Sequence, residues 1–174
     1  SDATRLASGE LVYLGVVRSP LCALARRIRF RGTAYNVMNE FFATTADVFR
    51  LSGELDPAHD LYPPADDGVR DEAGSRLRLA RMIGHDARDA GADDWHAFAL
   101  RWRGQMLAEI RRNLVRVIRQ AGLPASAPFV GAGCGAFLVR DLANALGHPR
   151  VAFDALAAVA PDCAEWARVC APSV

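Results

Sequence analysis

Phe129-Val130-Gly131-Ala132-Gly133-Cys134-Gly135-Ala136-Phe137-Leu138 leads from an aliphatic segment through three glycines spaced two apart and into the apolar-periodic run 139–146. The reading is a strand, a tight turn, and a helix that starts at once. Glycine is needed where the backbone turns with positive φ or approaches a ligand with no Cβ in the way. A helix opening at that point also offers unpaired N–H groups and the positive end of its dipole. The spacing is Gly-x-Gly-x-Gly, which is neither the dinucleotide G-x-G-x-x-G nor a lysine-bearing P-loop. It reads either as a plain strand–helix turn or as a platform for a nucleotide, at its phosphates or against its adenosine face. Gly131, Gly133 and Gly135 are therefore candidate cofactor-binding residues.

Working outward, Gly147 and Pro149 close that helix, 150–153 reads as a short strand, and 155–160 and 161–169 read as helical, with Pro161 suited to a first turn. Upstream, Asp93 or Asp94 is expected to cap the longest helix, which runs to about Ala121 and is stopped by Gly122 and Pro124. Its inward stripe is Trp95, Phe98, Ala99, Trp102, Met106, Ile110, Leu114, Val117 and Ile118, at spacings of three and four. The other face is rich in arginine, either solvated or set against an anionic partner. Asp71 is expected to cap a helix whose inner face is Leu77, Leu79, Ala80, Met82 and Ile83, ended by Gly84. Between Glu54 and Arg70, three prolines and the Asp66-Asp67-Gly68 turn rule out regular structure, and a loop this long is functional or mobile.

Nearer the start, 41–51 reads as a short helix closed by Gly53. Arg26, Ile28 and Phe30 alternate as in a strand, Gly32 turns the chain, and 33–38 is its hairpin partner. Leu11-Val12-Tyr13-Leu14-Gly15-Val16-Val17 reads as a strand buried on both faces, ended by Arg18-Ser19-Pro20. Tyr13, Trp95 and Trp102 are read as core. The expected organisation is one lobe over 1–174: a strand plus β/helix insert over 1–53, a Pro/Asp loop over 54–70, a helical segment over 71–122, and a glycine-turn βαβα over 127–174.

The chain has 174 residues, of which 51% are hydrophobic, and a net charge of +1 from 21 basic and 20 acidic residues. That balance argues against a dedicated nucleic-acid binder, whose footprint is a basic excess. None of the basic residues is lysine, so a lysine Schiff base and a P-loop lysine are both excluded. Any anion clamp must use arginine, whose planar fork suits phosphate. Cys22, Cys134, Cys163 and Cys170 form no C-x-x-C pair and are expected as free buried thiols in a reducing cytoplasm. Cys134 sits near a helix N-terminus, where a lowered pKa is expected. The four histidines are scattered, with no pair at metal-ligand spacing. No run approaches the ~20 apolar residues of a membrane span, and the expectation is a cytoplasmic protein with no membrane and no nucleic-acid partner.

The strand–glycine-turn order resembles the later part of the second domain in the actin-like ATPase (RNase H-like) superfamily: α/β, with a mixed sheet flanked by helices and an inserted helical segment. The match narrows through Gly9-Glu10-Leu11-Val12-Tyr13-Leu14-Gly15-Val16-Val17-Arg18-Ser19-Pro20, Glu40-Phe41-Phe42-Ala43-Thr44-Thr45-Ala46-Asp47-Val48, the Ala65-Asp66-Asp67-Gly68 loop, and Val130-Gly131-Ala132-Gly133-Cys134-Gly135. Together these resemble the hydantoinase/oxoprolinase-related proteins of the tetrahydromethanopterin-linked one-carbon pathway. Archaeal members act in methanofuran biosynthesis. They join an aminomethyl-furan-methyl diphosphate to the phenol of γ-glutamyltyramine and release pyrophosphate. The resemblance implies a transferase, and a phosphate-binding hairpin in a first domain upstream of Thr4-Arg5-Leu6. The chain is then a lobe of a longer two-domain protein, inactive alone, with that N-terminal domain as its partner; a homo-oligomer is left open.

Within that frame Glu40, Asp47 and Arg18 are the candidate catalytic residues, and Thr44 and Thr45 join the three glycines as candidate cofactor contacts. Asp66 and Asp67 are candidate Mg²⁺ ligands, since magnesium takes one or two carboxylates beside substrate phosphates. The expected ligand is a small-molecule diphosphate or a nucleotide such as ATP. Each residue has a structural alternative: Thr44 and Asp47 have capping-box spacing, Asp66 and Asp67 fit a solvated turn, and Arg18 fits a structural ion pair. Two other functions stay open: an actin-like ATPase or hydantoinase lobe with phosphoryl or amide-hydrolysing chemistry, and a non-catalytic module docking through Arg111 and Arg112.

Overall fold

The computed structural model describes residues 1–157 and 159–170. They fall into two compact units, one of Tyr13–Glu109 and one of Ser1–Val12 with the described residues from Ile110 onward. The composition is mixed α/β, but among the described residues the strands form two separate two-stranded ladders and no single mixed sheet.

In the central unit, strands β1 (Arg27–Phe30) and β2 (Thr33–Asn36) pair antiparallel, with Ile28 opposite Tyr35 and Phe30 opposite Thr33. The two-residue turn between them, Arg31 and Gly32, has φ of 46° and 84°. Positive φ at both positions is what a hairpin turn matched to strand twist requires. Alternation turns Ile28 and Phe30 inward and leaves Arg27 and Arg29 outside. Phe30 stacks on Trp95 at 4.6 Å and meets Phe98 edge-on at 5.0 Å. Helices α2 (Thr45–Leu51) and α3 (Glu72–Arg81) complete this core with Val48, Leu51, Leu79 and Ala80. Asp71 caps α3 by accepting from the Gly74 N–H at 2.7 Å. The long helix α4 spans Ala92–Ala121; Asp93 and Asp94 lie in its first turn rather than at the cap. Trp95, Phe98, Ala99, Trp102 and Met106 are its buried residues.

Other expectations fail as well: the helix read over 41–51 begins only at Thr45. Residues 11–17 are not a strand. Gly15 donates its N–H to Ser19 Oγ at 2.8 Å, and Thr45 Oγ1 donates to the Gly15 carbonyl at 2.7 Å. At Gly15, side chains have taken both backbone groups a ladder would use. Tyr13 consequently is 85% exposed and is not core. On α3, Leu77 faces solvent while Arg78 is buried.

In the other unit, helix α1 (Asp2–Ser8) ends at Gly9 with φ 85°. A Cβ there would come within 2.9 Å of Asn113 Oδ1 on the C-terminal half of α4. Strands β3 (Phe129–Gly131) and β4 (Arg150–Ala152) pair in parallel, with Val130 opposite Val151, through helix α5 (Ala136–Leu146). This is the expected strand–turn–helix–strand. Two short helices follow, α6 (Phe153–Leu156) and α7 (Ala164–Val169). The helix read over 155–160 thus ends early; Ala158, and residues 171–174 of the βαβα segment, lie outside the described residues. All four cysteines are free, but none is fully buried as expected: Cys22, Cys134 and Cys170 are part-buried and Cys163 is exposed.

Candidate functional site

The N-terminus of α2 organises the central unit's polar chemistry. Thr45 accepts from the Ser19 N–H at 3.2 Å and donates its own N–H to the Ser19 carbonyl at 2.9 Å. Together with its bond to Gly15, this clamps 15–19 into a turn and holds exposed Arg18 at the surface. The Arg18 guanidinium lies 4.8 Å from the centre of the Tyr62 ring, a cation–π contact to the Pro/Asp loop.

Thr44 and Asp47 form the capping box, with Asp47 Oδ2 accepting from the Thr44 N–H at 3.0 Å. The other oxygen, Oδ1, accepts from Arg78 Nε at 2.8 Å, Arg50 Nη1 at 2.9 Å and Ser75 Oγ at 3.0 Å. Asp47 and Arg78 are each about 1% exposed at the side chain. A buried carboxylate and a buried guanidinium persist only paired and hydrogen-bonded. The same arginines strap down the loop. Arg50 meets Asp60 through Nε and Nη2 at 2.8–2.9 Å. Arg78 donates to Asp66 Oδ1 at 3.0 Å and to the Val69 carbonyl at 3.1 Å, and Arg81 donates to Asp66 Oδ2 at 3.0 Å. Arg70 donates to the Asp60 carbonyl. Burial by itself would raise the Asp66 pKa. The Gly68 N–H and the charges of Arg78 and Arg81 outweigh it and hold the carboxyl below the usual aspartate value.

This arrangement does not fit magnesium at Asp66 and Asp67. Both Asp66 oxygens already receive guanidinium donors, and a divalent cation there would sit against two positive charges. Asp67 occupies the loop tip with φ 52°. Among the described residues no group of three or more His, Cys, Asp or Glu is placed to hold a metal ion. Glu40 is exposed, and its carbonyl accepts from the Phe42 N–H at 2.9 Å.

The glycine turn belongs to the other unit. Gly133 takes the left-handed φ of 74° and donates its N–H to the Arg168 carbonyl at 2.5 Å. One donor of the expected platform is thus spent within the protein. Gly135 is the N-cap of α5. A Cβ on Gly131 would meet Ala136 and Val139 only at ordinary contact, 3.6–3.7 Å. Burial pushes the Cys134 thiol up, against the lowering expected from the helix end.

The structure therefore gathers Arg18, Thr44, Thr45, Asp47 and Asp66 around one helix start and one loop. Glu40 and Asp67 stand outside that bonded network, and the glycines fall in the second unit. Sequence reasoning missed Arg50, Asp60, Ser75, Arg78 and Arg81. The available signal was Arg78 itself, a charge placed between Leu77 and Leu79 on a face read as apolar.

No protein-family model matches the chain. Among curated proteins it is 29% identical over 123 residues to a (4-{4-[2-(gamma-L-glutamylamino)ethyl]phenoxymethyl}furan-2-yl)methanamine synthase of Methanocaldococcus jannaschii, covering 71% of this chain and 37% of that protein. It is 27% identical over 146 residues to a synthase of the same name from Methanococcus vannielii, covering 84% of this chain and 64% of that protein. The chain thus spans about a third to two thirds of these distant homologues. No helix of the described residues is long and apolar enough to cross a membrane.

Proposed function

We propose that this chain is a lobe of a cofactor-biosynthesis enzyme that builds the ether-linked furan–phenol core of a methanofuran-type one-carbon carrier. The observation that carries the reading is the likeness of most of the chain to two synthases bearing one and the same product name. That product contains a phenoxymethyl-furan, so the bond to be made joins a phenol oxygen to a furan methylene carbon. In the proposed reaction the methylene–oxygen bond to diphosphate breaks and pyrophosphate leaves with the electron pair. The phenol oxygen then bonds to the methylene carbon, and its proton passes to a carboxylate. Exposed Glu40 is the proposed acceptor of that proton, beside the half-exposed ring of Phe41. Arg18 is proposed to face the diphosphate, where a guanidinium stabilises the negative charge that develops on departure. Asp47, with both oxygens filled, holds α2 and α3 together and acts by positioning.

The wider frame is a proposal of the same kind: a lobe of an actin-like fold whose remaining domain lies elsewhere in a longer protein, with the glycine turn as a nucleotide contact. The test is to incubate the full-length protein with Mg²⁺, the furan-methyl diphosphate and γ-glutamyltyramine. Pyrophosphate release in step with coupled product, seen by mass spectrometry, is expected. Failure to couple removes the reading.

A further inference from the structure

A groove of about 450 Å³ in the central unit is lined by Arg27 and Arg29 on β1, Ala34 on β2, and Arg101, Gly104 and Gln105 on α4. It is separate from the Asp47 network. Arg27 and Arg29 are two apart on one strand and so point the same way. Arg101, Gly104 and Gln105 are at i, i+3 and i+4 and share one face of the helix. The register sets Ala34 opposite Arg29, and the small side chain there, like the absent one at Gly104, leaves the space open. None of the described lining residues is acidic. Among the described residues neither Arg27 nor Arg101 is held in an ion pair, and Arg29 donates only to the Gly32 carbonyl, at 3.1 Å. Like charges lining one groove repel, and a counter-anion joining them relieves that repulsion.

The geometry points to this groove as a second anion site, apart from the diphosphate that Arg18 faces, for a small free phosphate or pyrophosphate anion. Three guanidiniums each offer a planar fork of donors matched to phosphate oxygens, and Gln105 adds an amide. The size is that of a small-ligand cleft. The near-neutral chain, with 21 basic against 20 acidic residues, favours a compact anion over a long polyanion. Naming pyrophosphate, the released product, as the anion rests on the reaction proposed above; the anion site itself does not.

Calorimetric titration of the intact chain with inorganic pyrophosphate, at about 0.15 M salt, tests the site. Arg27→Gln and Arg101→Gln are each expected to weaken binding roughly ten-fold, the scale of one lost charge-assisted contact. Gly104→Glu places a carboxylate in the groove where a Cβ meets nothing within 4 Å. It is expected to fold as the parent does by circular dichroism and to lose pyrophosphate binding. Arg111→Gln, in the other unit, is expected to bind as the parent does. Absence of binding by the parent, equal binding by all groove variants, or an equal loss in Arg111→Gln overturns the inference. The coupling assay separates the two claims. Coupling that survives in groove variants with undiminished pyrophosphate binding removes the groove and leaves the reaction. Groove-dependent binding with no coupling leaves the groove and removes the reaction.

Discussion

Asp47 is a carboxylate whose chemistry is already spoken for, and its role follows from its partners. Four donors converge on it, from Thr44, Arg50, Ser75 and Arg78. Asp47→Ala leaves buried Arg78 with only the part-exposed Asp66 as counter-charge and is expected to lower stability by about 3–5 kcal/mol, measured by urea denaturation. Replacing both, Asp47→Leu with Arg78→Met, is expected to recover part of that loss, because the buried guanidinium goes too. The spacing Thr44-x-x-Asp47 announces a cap, and that half was legible. Arg78 was not, because periodicity sorts residues by hydropathy. Partners 12 and 31 residues away in the chain, Asp66 and Asp47, make a guanidinium acceptable inside.

At the scale of elements, local signals held and long-range ones did not. The β1–β2 hairpin was legible because alternation and Gly32 lie within one short window. Gly32 has φ 84° with open space around its Cβ position, so Gly32→Val costs backbone strain alone, about 1–2 kcal/mol, again read by denaturation. The apolar run 11–17 failed as a strand because a strand needs a partner edge, and here the Ser19 and Thr45 side chains take the N–H and carbonyl of Gly15 at its middle. The Pro/Asp loop is held in part by charge. Asp66 has a folded pKa below its unfolded value of about 3.9. Its contribution is therefore full above about pH 4 and is lost as pH falls through the lower folded value. Hydrogen exchange across 54–70, followed by mass spectrometry, is expected to quicken below about pH 4, after correction for intrinsic rates. Asp66→Asn is expected to quicken it already at pH 7.

For the molecule as a whole, α/β content was legible but the division into two units was not. The stripe along α4 runs at an unbroken helical period from Trp95 to Ile118. It is buried as far as Met106 and half-buried from Ile110 onward, and a period carries no mark where one core ends. The three tryptophans report the difference: Trp95 and Trp102 are fully buried, whereas Trp166 is 72% exposed. Iodide is expected to quench only the Trp166 share of the emission, and Trp166→Phe to leave a blue-shifted, quencher-insensitive spectrum. The strapped loop has a practical consequence as well. Its grip lies at Asp60 and from Asp66 to Val69, while Leu61 between them faces water. A peptide tag spliced between Pro63 and Pro64 would thus be carried on anchored ends, making this bend a natural graft point for labelling the protein without unseating its scaffold.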